Sequence, residues 1–137
     1  MILDELGAYL EGQGLGVRAQ DLYLGSLPES PDEVIALQET GAGPSVYVHE
    51  QASPSLERPT LQVLSRSESY ESARTKAQSA YRMLSRLVNS SLPSSTTLAG
   101  SRRYLKVTPL QTPFSIGPDQ NNRHRIVFNI QVLKEAE

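Results

Sequence analysis

Residues 123–134 read RHRIVFNIQVLK and carry the strongest strand pattern in this sequence. Large apolar side chains recur at every second position on one face, at Ile126, Phe128, Ile130 and Val132. Such alternation is typical of a strand with one face against a core. The preceding residues 102–112, RRYLKVTPLQT, alternate as well. We therefore predict a long antiparallel C-terminal hairpin over residues 102–134, with the Pro-, Gly- and Asn-rich residues 113–122 as its turn.

The first strand of this hairpin allows two further predictions. Pro109 has no backbone N–H, so the strand is expected at a sheet edge or at a bulge. Strict alternation places Tyr104 and Val107 on opposite faces of the sheet.

The clearest helix pattern covers residues 68–88. Its apolar side chains step by three or four positions and form one stripe, which consists of Tyr70, Ala73, Ala77, Ala80, Tyr81, Leu84, Leu87 and Val88. Ser67 or Ser69 is suited to cap its N-terminus. Residues 60–66, TLQVLSR, alternate behind Pro59 and predict a central strand.

The N-terminal half of the chain is less regular. Residues 1–12 have the pattern of an amphipathic helix, and residues 21–25 are a strand candidate. Residues 33–39 could form a strand or a helical turn; their alternation favours a strand, which would pair with residues 21–25 as a hairpin. Gly, Pro, Ser and polar residues dominate 41–58, which predicts a long flexible loop. Residues 89–101 are predicted to form a polar connector.

Together these elements predict one α+β domain over residues 1–137. We expect a mixed or antiparallel sheet of about four to five strands, because strands surround a single central helix without a repeated βαβ unit. The N-terminal helix and the long central helix are expected to pack on one face of that sheet.

Composition excludes several classes of protein. The chain has 137 residues and no cysteine, and hydrophobic residues make up 38% of it. Without cysteine there is no disulfide scaffold, thiol nucleophile or cysteine-based zinc site. No run of about 18 apolar residues is present, and the acidic N-terminus lacks a basic n-region. We therefore expect neither a membrane span nor a signal peptide.

The charges divide unevenly along the chain. Residues 1–60 hold two bases and ten acids, a net charge of −8, whereas residues 61–137 hold eleven bases and five acids, a net charge of +6. Opposed charge suits a subunit that meets copies of itself or charged partners through different faces. The alternative is that both halves interleave in one sheet, so that the asymmetry disappears.

The sequence offers little for catalysis or for nucleic-acid binding. His49 and His124 do not have metal-binding spacing, and no GxSxG nucleophile elbow is present. We therefore predict no enzyme, no catalytic residue, no cofactor and no metal. The basic residues of the hairpin fall at its two ends, 102–103 at the open end and 123–125 at the turn. Nucleic-acid binding favours a continuous basic stripe with interleaved aromatic residues instead.

Two apolar side chains, Phe114 and Ile116, fall in the predicted turn of the hairpin. Exposed apolar loops often mark a contact surface. The alternative is that both side chains fold back over the edge of the sheet.

Two stretches carry a resemblance to a known family. The first is RPTLQVLSR at 58–66, followed by YESARTKA at 70–77 and YRML at 81–84. The second is PFSIGPDQNNR at 113–123, followed by the last strand. In this order they resemble the small minor capsid and tail-terminator (tail-completion) proteins of long-tailed bacteriophages. The resemblance covers residues 1–134 and rests on patterns of polarity and turn residues.

The resemblance implies a structural role without a reaction. Such proteins form a ring, typically a hexamer, at the head-proximal end of the finished tail tube, where they stop tube polymerisation and present a surface to the head. The implied partners are further copies of the chain, the tail tube protein and a head-completion or neck protein. DNA would pass through the lumen without being read. The implied location is the tail or neck of the virion, after assembly in the host cytoplasm, and no membrane partner is expected.

The candidate interface residues combine positions that match the family pattern with basic and apolar residues of the hairpin. They are Arg58, Arg66, Arg102, Arg103, Lys106, Phe114, Ile116, Asp119, Arg123 and Arg125. As an interface change, Arg123→Glu is expected to leave a folded monomer that fails to assemble. Two other functions stay open: a head-side connector, stopper or other minor capsid protein, and a nucleic-acid-binding module whose affinity would fall steeply with salt.

Overall fold

The computed structural model describes residues 2–46, 56–92 and 102–135, and for residues 42–46 and 102 the backbone alone. The helices in these residues are α1 (Ile2–Gly12) and α2 (Tyr70–Ser85). The strands are β1 (Leu22–Leu24), β2 (Val34–Val46), β3 (Leu56–Ser67), β4 (Val88–Leu92), β5 (Arg102–Pro109), β6 (Phe114–Pro118) and β7 (His124–Glu135).

All seven described strands belong to one sheet. Their order is β1-β2-β3-β7-β5-β4, and β6 pairs with β7 in line with β5. Every pairing is antiparallel except that of β1 with β2. The predicted α+β class, the mixed sheet and the central position of β3 are confirmed. The predicted number of strands was too low, because β4 and β6 are short and lack the apolar alternation by which a strand is recognised.

The core lies between one face of the sheet and the two helices. The predicted apolar row of β7 is confirmed: Ile126, Phe128, Ile130 and Val132 are fully buried. Phe128 meets the ring of Tyr81 on α2 edge-on, with ring centroids 5.6 Å apart. The hydroxyl of Tyr9 on α1 donates to the carbonyl of Met83 on α2 at 3.2 Å. Both helices therefore share the same face of the sheet, as the sequence predicts.

The long helix is shorter than its apolar pattern suggests. Ser69 is the N-cap, and its hydroxyl accepts a hydrogen bond from the backbone N–H of Ser72 at 3.4 Å. The helix ends at Ser85, and Val88 already belongs to β4. Tyr70 and Val88, at the two ends of the predicted stripe, are consequently exposed.

The N-terminal strands do not form the predicted hairpin. β1 and β2 pair in parallel, with Leu22 opposite Ile35. A parallel pair requires the chain to return to the starting end of the first strand before the second begins. β1 has only three residues, so residues 25–33 are long enough to make this return.

Two predicted loops are partly strands. β2 continues to Val46 and β3 begins at Leu56, so both ends of the predicted loop 41–58 are paired, with Gly43 opposite Arg58. Register shifts between Glu39 and Gly41 and again before Val46 break the alternation that would have revealed the strand. β4 likewise replaces the start of the predicted connector 89–101. Residues 47–55 and 93–101 lie outside the described residues.

The C-terminal hairpin is antiparallel as predicted, but its details differ. The residues predicted as its turn include β6, which pairs with β7, so the reversal itself is limited to residues 119–123. β5 lies between β7 and β4 rather than at an edge, and Pro109 is its last residue. A register shift between Tyr104 and Lys106 turns Tyr104 to the same side as Val107, and both are buried.

Candidate functional site

Four of the ten candidate interface residues meet where β6 turns into β7, and two acidic side chains of the loop 25–33 join them. We call this group the turn-end cluster. It consists of Arg66, Asp119, Arg123 and Arg125 together with Glu29 and Asp32.

Arg123 is the centre of the turn-end cluster. Its Nε donates to Oδ2 of Asp119 at 2.9 Å, and its Nη1 donates to Oδ1 of Asp32 at 3.3 Å and to the backbone carbonyl of Glu29. Its Nη2 lies 3.6 Å from Oε2 of Glu29. Only 4% of the Arg123 side chain is exposed. The guanidinium therefore ties the loop 25–33 to the turn instead of pointing into solvent.

Asp119 shapes the turn itself. Its Oδ1 accepts hydrogen bonds from the backbone N–H groups of Asn121 and Arg123, each at 2.9 Å. Asn122 completes the reversal with a φ of 60°, a left-handed conformation that Asn adopts more easily than most residues. One carboxylate thus closes the turn and holds the buried guanidinium.

The hydrogen bonds of Asp119 predict a pH dependence. They keep its pKa below the ordinary value of 3.8; the backbone N–H of Arg123 contributes most, burial opposes it, and the N–H of Asn121 adds to it. Because the folded pKa is the lower one, the carboxylate stabilises the fold above pH 3.8, and this contribution is lost as the pH falls through the folded pKa. We expect Asp119→Asn to lower the melting temperature at pH 7, and the difference from the unmodified chain to shrink below pH 3.8.

Thermal melts from pH 7 to pH 2 test this expectation, with the exposed Glu71→Gln as the matched control. The control should lower the melting temperature only slightly, because Glu71 lies in the first turn of α2 and loses no more than its interaction with the helix dipole. A difference for Asp119→Asn that stays constant down to pH 2 would contradict the assignment.

Arg66 and Arg125 lie directly opposite each other on β3 and β7. Arg66 donates to the carbonyls of Pro31 at 2.7 Å and Asp32 at 3.3 Å, while Arg125 donates to the carbonyls of Gly117 at 3.2 Å and Pro118 at 3.4 Å. Burial, followed by the charge of Arg123, lowers the pKa of Arg66. Both side chains therefore hold neighbouring backbone in place. The loops that they support line an open groove of about 600 Å³.

A second group of candidate residues is apolar and exposed. Phe114 and Ile116 of β6 are 41% and 42% exposed, and Leu110, just after β5, is 55% exposed. We call these three residues the apolar edge. Of the two alternatives for Phe114 and Ile116, this exposure favours a contact surface over folding back across the edge of the sheet.

The remaining candidate residues lie toward the open end of the hairpin. Arg58 and Lys106 are exposed and line one small cavity of about 150 Å³. Arg103 donates from its guanidinium to Oδ1 of Asn89 and from its backbone N–H to Oε2 of Glu135 at 2.9 Å. For Arg102 only the backbone is described. The basic residues of the hairpin are thus divided between its two ends, as predicted.

Several ion pairs join the acidic N-terminal half of the chain to the basic C-terminal half. Besides Arg123 with Glu29 and Asp32, Nζ of Lys76 lies 3.9 Å from Oδ2 of Asp21. Nζ of Lys134 lies 3.3 Å from Oε1 of Glu5, with both side chains buried. Part of the charge asymmetry is therefore neutralised inside the molecule, as the interleaved alternative expects.

The Lys134–Glu5 pair is absent from the sequence-based candidates. A signal for it exists: Lys134 continues the every-second-residue row of Ile130 and Val132 into the core. A charged side chain in such a row needs a partner of opposite charge.

Other kinds of site find little support in the described part of the chain. Its His, Asp and Glu side chains include no group of three or more that could hold a metal ion. Neither α1 nor α2 is long and apolar enough to cross a membrane. The ring of His124 packs edge-on against Tyr70, with centroids 5.6 Å apart, and His49 lies outside the described residues.

Comparison with known proteins gives a match to a family and a match to a structure. Residues 9–135 match a family model described as bacteriophage tail terminator protein. A chain of a solved structure described as the virion of a native gene transfer agent (GTA) particle aligns with a TM-score of 0.57 at 13% sequence identity. The alignment covers 96% of this chain and 94% of that chain, and at this identity it shows a shared fold. No curated protein sequence matches the chain.

Proposed function

The chain belongs to the bacteriophage tail terminator family, and we propose that it forms a ring at the head-proximal end of a tail tube, ends tube polymerisation and provides the surface for head–tail joining. The observation that carries the proposal is the family match, which spans all seven described strands. As a member of this family, the chain is a structural protein of the phage virion, and the family is not a class of enzymes.

The proposed partners are further copies of this chain, the tail tube protein and a head-completion or neck protein. We propose a hexamer, with DNA passing through the lumen without sequence-specific contacts, and assembly in the host cytoplasm. A closed ring needs two different surfaces on each subunit, because one face of a copy meets another face of the next. The apolar edge and the basic open end of the hairpin are exposed and chemically distinct, so both are available to these partners.

The candidate interface residues divide into two roles in this proposal. The exposed ones, among them Phe114, Ile116 and Lys106, contact partners directly. The buried Arg66 and Arg123 are positioning residues, since they hold the loop 25–33 and the turn at the end of β6. Burial supports this division, because a side chain that solvent does not reach is not available to a partner.

The apolar edge gives a direct test of the contact role. The double change Phe114→Ser and Ile116→Ser is expected to lower the free energy of unfolding by about 1 kcal/mol per site, because each side chain is about 40% exposed and serine is a weaker strand former. Assembly should nevertheless fail, since a partner loses two apolar anchors. Electron microscopy of particles from a complementation assay measures the outcome.

Val17→Ser is the matched control, because Val17 is 46% exposed and lies away from β6, in the segment between α1 and β1. It should assemble normally. Joined particles of ordinary tail length from the double variant would show that the apolar edge is not a contact surface.

The proposed function itself is tested with particles produced without this protein. Filled heads beside free tails of uncontrolled, overlong length are the expected result. Tails of ordinary length beside heads that leak DNA would favour the head-side connector or stopper. Intact, infectious particles would overturn both roles.

A further inference from the structure

Among the described residues, the sheet has a strand without a full neighbour at each end of its strand order. β1 covers β2 only along residues 35–37, so in the described chain the rest of β2 has no strand on that side. At the other end, β4 has β5 as its one described neighbour strand. An uncovered strand presents backbone N–H and C=O groups that another strand can pair with.

The two other strands with an outer side, β1 and β6, are protected against pairing. β1 is only three residues long. β6 follows Pro113 and ends at Pro118, with a register shift between Ser115 and Pro118. Short strands, prolines and bulges are the devices by which proteins prevent pairing at an edge.

Residues 38–43 of β2 and the whole of β4 carry one charge and no proline. β4 reads VNSSL, without charge or proline. Residues 38–43 of β2 read QETGAG, with one charge and one bulge at Thr40. Small residues inside a strand often mark the close approach of another backbone, and residues 41–43 of β2 are Gly-Ala-Gly.

Hydrogen bonds to the start of β2 show which backbone groups face outward. The N–H of Ile35 donates to the carbonyl of Asp21 at 2.8 Å, and the carbonyl of Leu37 accepts from the N–H of Gly25 at 2.7 Å. Because these directions repeat at every second residue, the N–H and C=O of Glu39 also point away from β3. This position lies beyond the reach of β1.

The directions of the strands decide how two copies would join. The path from β2 to β4 across the sheet crosses four antiparallel pairings: β2 with β3, β3 with β7, β7 with β5 and β5 with β4. Because each pairing reverses the strand direction, four of them leave β2 and β4 running in the same direction. A second copy rotated about an axis along the strands would bring its β4 beside β2 in parallel. Such head-to-tail contacts close into a ring when the rotation closes.

We propose that residues 38–43 of β2 in one copy pair in parallel with β4 of the next copy, so that the sheet continues from subunit to subunit. This inference rests on the proposed ring and names the edges that form it. Strand addition supplies the backbone partners that both edges lack in the described chain.

The faces of the sheet allow a sharp test. Glu39 lies opposite the buried Leu61, and Ser90 lies opposite the buried Tyr104, so both positions belong to the helix-covered face. Ser91, the next residue along β4, belongs to the other face. Side chains on the same face adjoin in a continuous sheet, and the absence of native cysteine means that only introduced cysteines can react.

The double variant Glu39→Cys/Ser90→Cys is expected to give a series of disulfide-linked multimers whose largest member has the number of subunits in the ring. Short bismaleimides serve as a second cross-linker, which can join the two cysteines if the strands pair in a shifted register. The opposite-face variant Glu39→Cys/Ser91→Cys should give about tenfold less product, because a disulfide needs converging Cβ vectors and Cα atoms within about 7 Å. Each single variant should stop at dimers. Glu71→Cys/Ser90→Cys, with one cysteine on the exposed surface of α2, is the control for random contact.

Denaturing gels measure the cross-linked products of the full chain, both free and bound to tail tubes. Native mass spectrometry measures the number of subunits in the assembly. If rings form but the same-face variant gives no cross-linked multimers, the edge pairing is overturned and the proposed ring is retained. Single copies at tail ends, without rings or cross-linked multimers, would overturn both. Equal amounts of cross-linked multimers from the same-face and opposite-face variants would also overturn the parallel pairing.

Discussion

Replacing Lys134 with methionine is expected to lower the free energy of unfolding by about 3–5 kcal/mol, the range seen when one partner of a buried ion pair is removed. Nζ of Lys134 lies 3.3 Å from Oε1 of Glu5 and 4.0 Å from Oε2 of Glu57, and its side chain is 1% exposed. Methionine keeps most of the packing of the lysine stem. It leaves the carboxylate of Glu5 in the core without this cation, between α1 and the end of β7.

Urea unfolding measures the change, and Lys106→Met on the neighbouring strand is the matched control, because Lys106 is exposed. The control should cost no more than about 0.5 kcal/mol. Adding Glu5→Leu to Lys134→Met should recover much of the loss, since two buried charges are then absent together. Equal effects of Lys134→Met and Lys106→Met would show that the pair does not hold α1 to the sheet.

Arg123→Glu is expected to release the loop 25–33 and the turn 119–123 from the body of the protein. The new carboxylate would stand among those of Glu29, Asp32 and Asp119, which now surround a guanidinium. Amide hydrogen exchange in residues 25–33 should become faster by about tenfold or more, because several charge-assisted hydrogen bonds are lost together. The sequence alone predicts a folded monomer for this variant, whereas the buried position of Arg123 predicts local unfolding before any effect on assembly.

Arg82→Glu, an exposed charge reversal on α2, controls for the change in net charge. Arg123→Lys should fall between the two, since lysine keeps the charge and loses the planar fork of donors. Unchanged exchange of residues 25–33 in Arg123→Glu would mean that other contacts hold the loop.

The parts of the fold that the sequence predicts are those with strong periodicity. β7, β3 and α2 carry apolar residues at every second or every third to fourth position, and each is found within a few residues of its predicted bounds. β4 and β6 are missed because a short polar strand is stabilised by its neighbours and not by its own pattern. The face of Tyr104 is missed because one extra residue at a bulge reverses the alternation.

Four residues of the turn-end cluster are among the sequence-based candidates, but Glu29, Asp32 and the arrangement of the cluster are not predicted. Asp119 and Arg123 are four positions apart, so their closeness is local and can be read from the sequence. The approach of Glu29 and Asp32 depends on the parallel pairing of β1 with β2, which returns the loop 25–33 to this end of the sheet. Composition and spacing contain no information on that pairing, and therefore none on whether Arg123 is buried.

The position of β7 within the sheet has a consequence for the biosynthesis of this chain. β7 follows every other described strand in sequence, yet it stands between β3 on one side and β5 and β6 on the other. Until β7 leaves the ribosome, no described strand joins β1–β3 to β4 and β5, so the sheet stays in two parts. We therefore expect the sheet to be completed only after β7 is translated, and the nascent chain to be prone to aggregation until then.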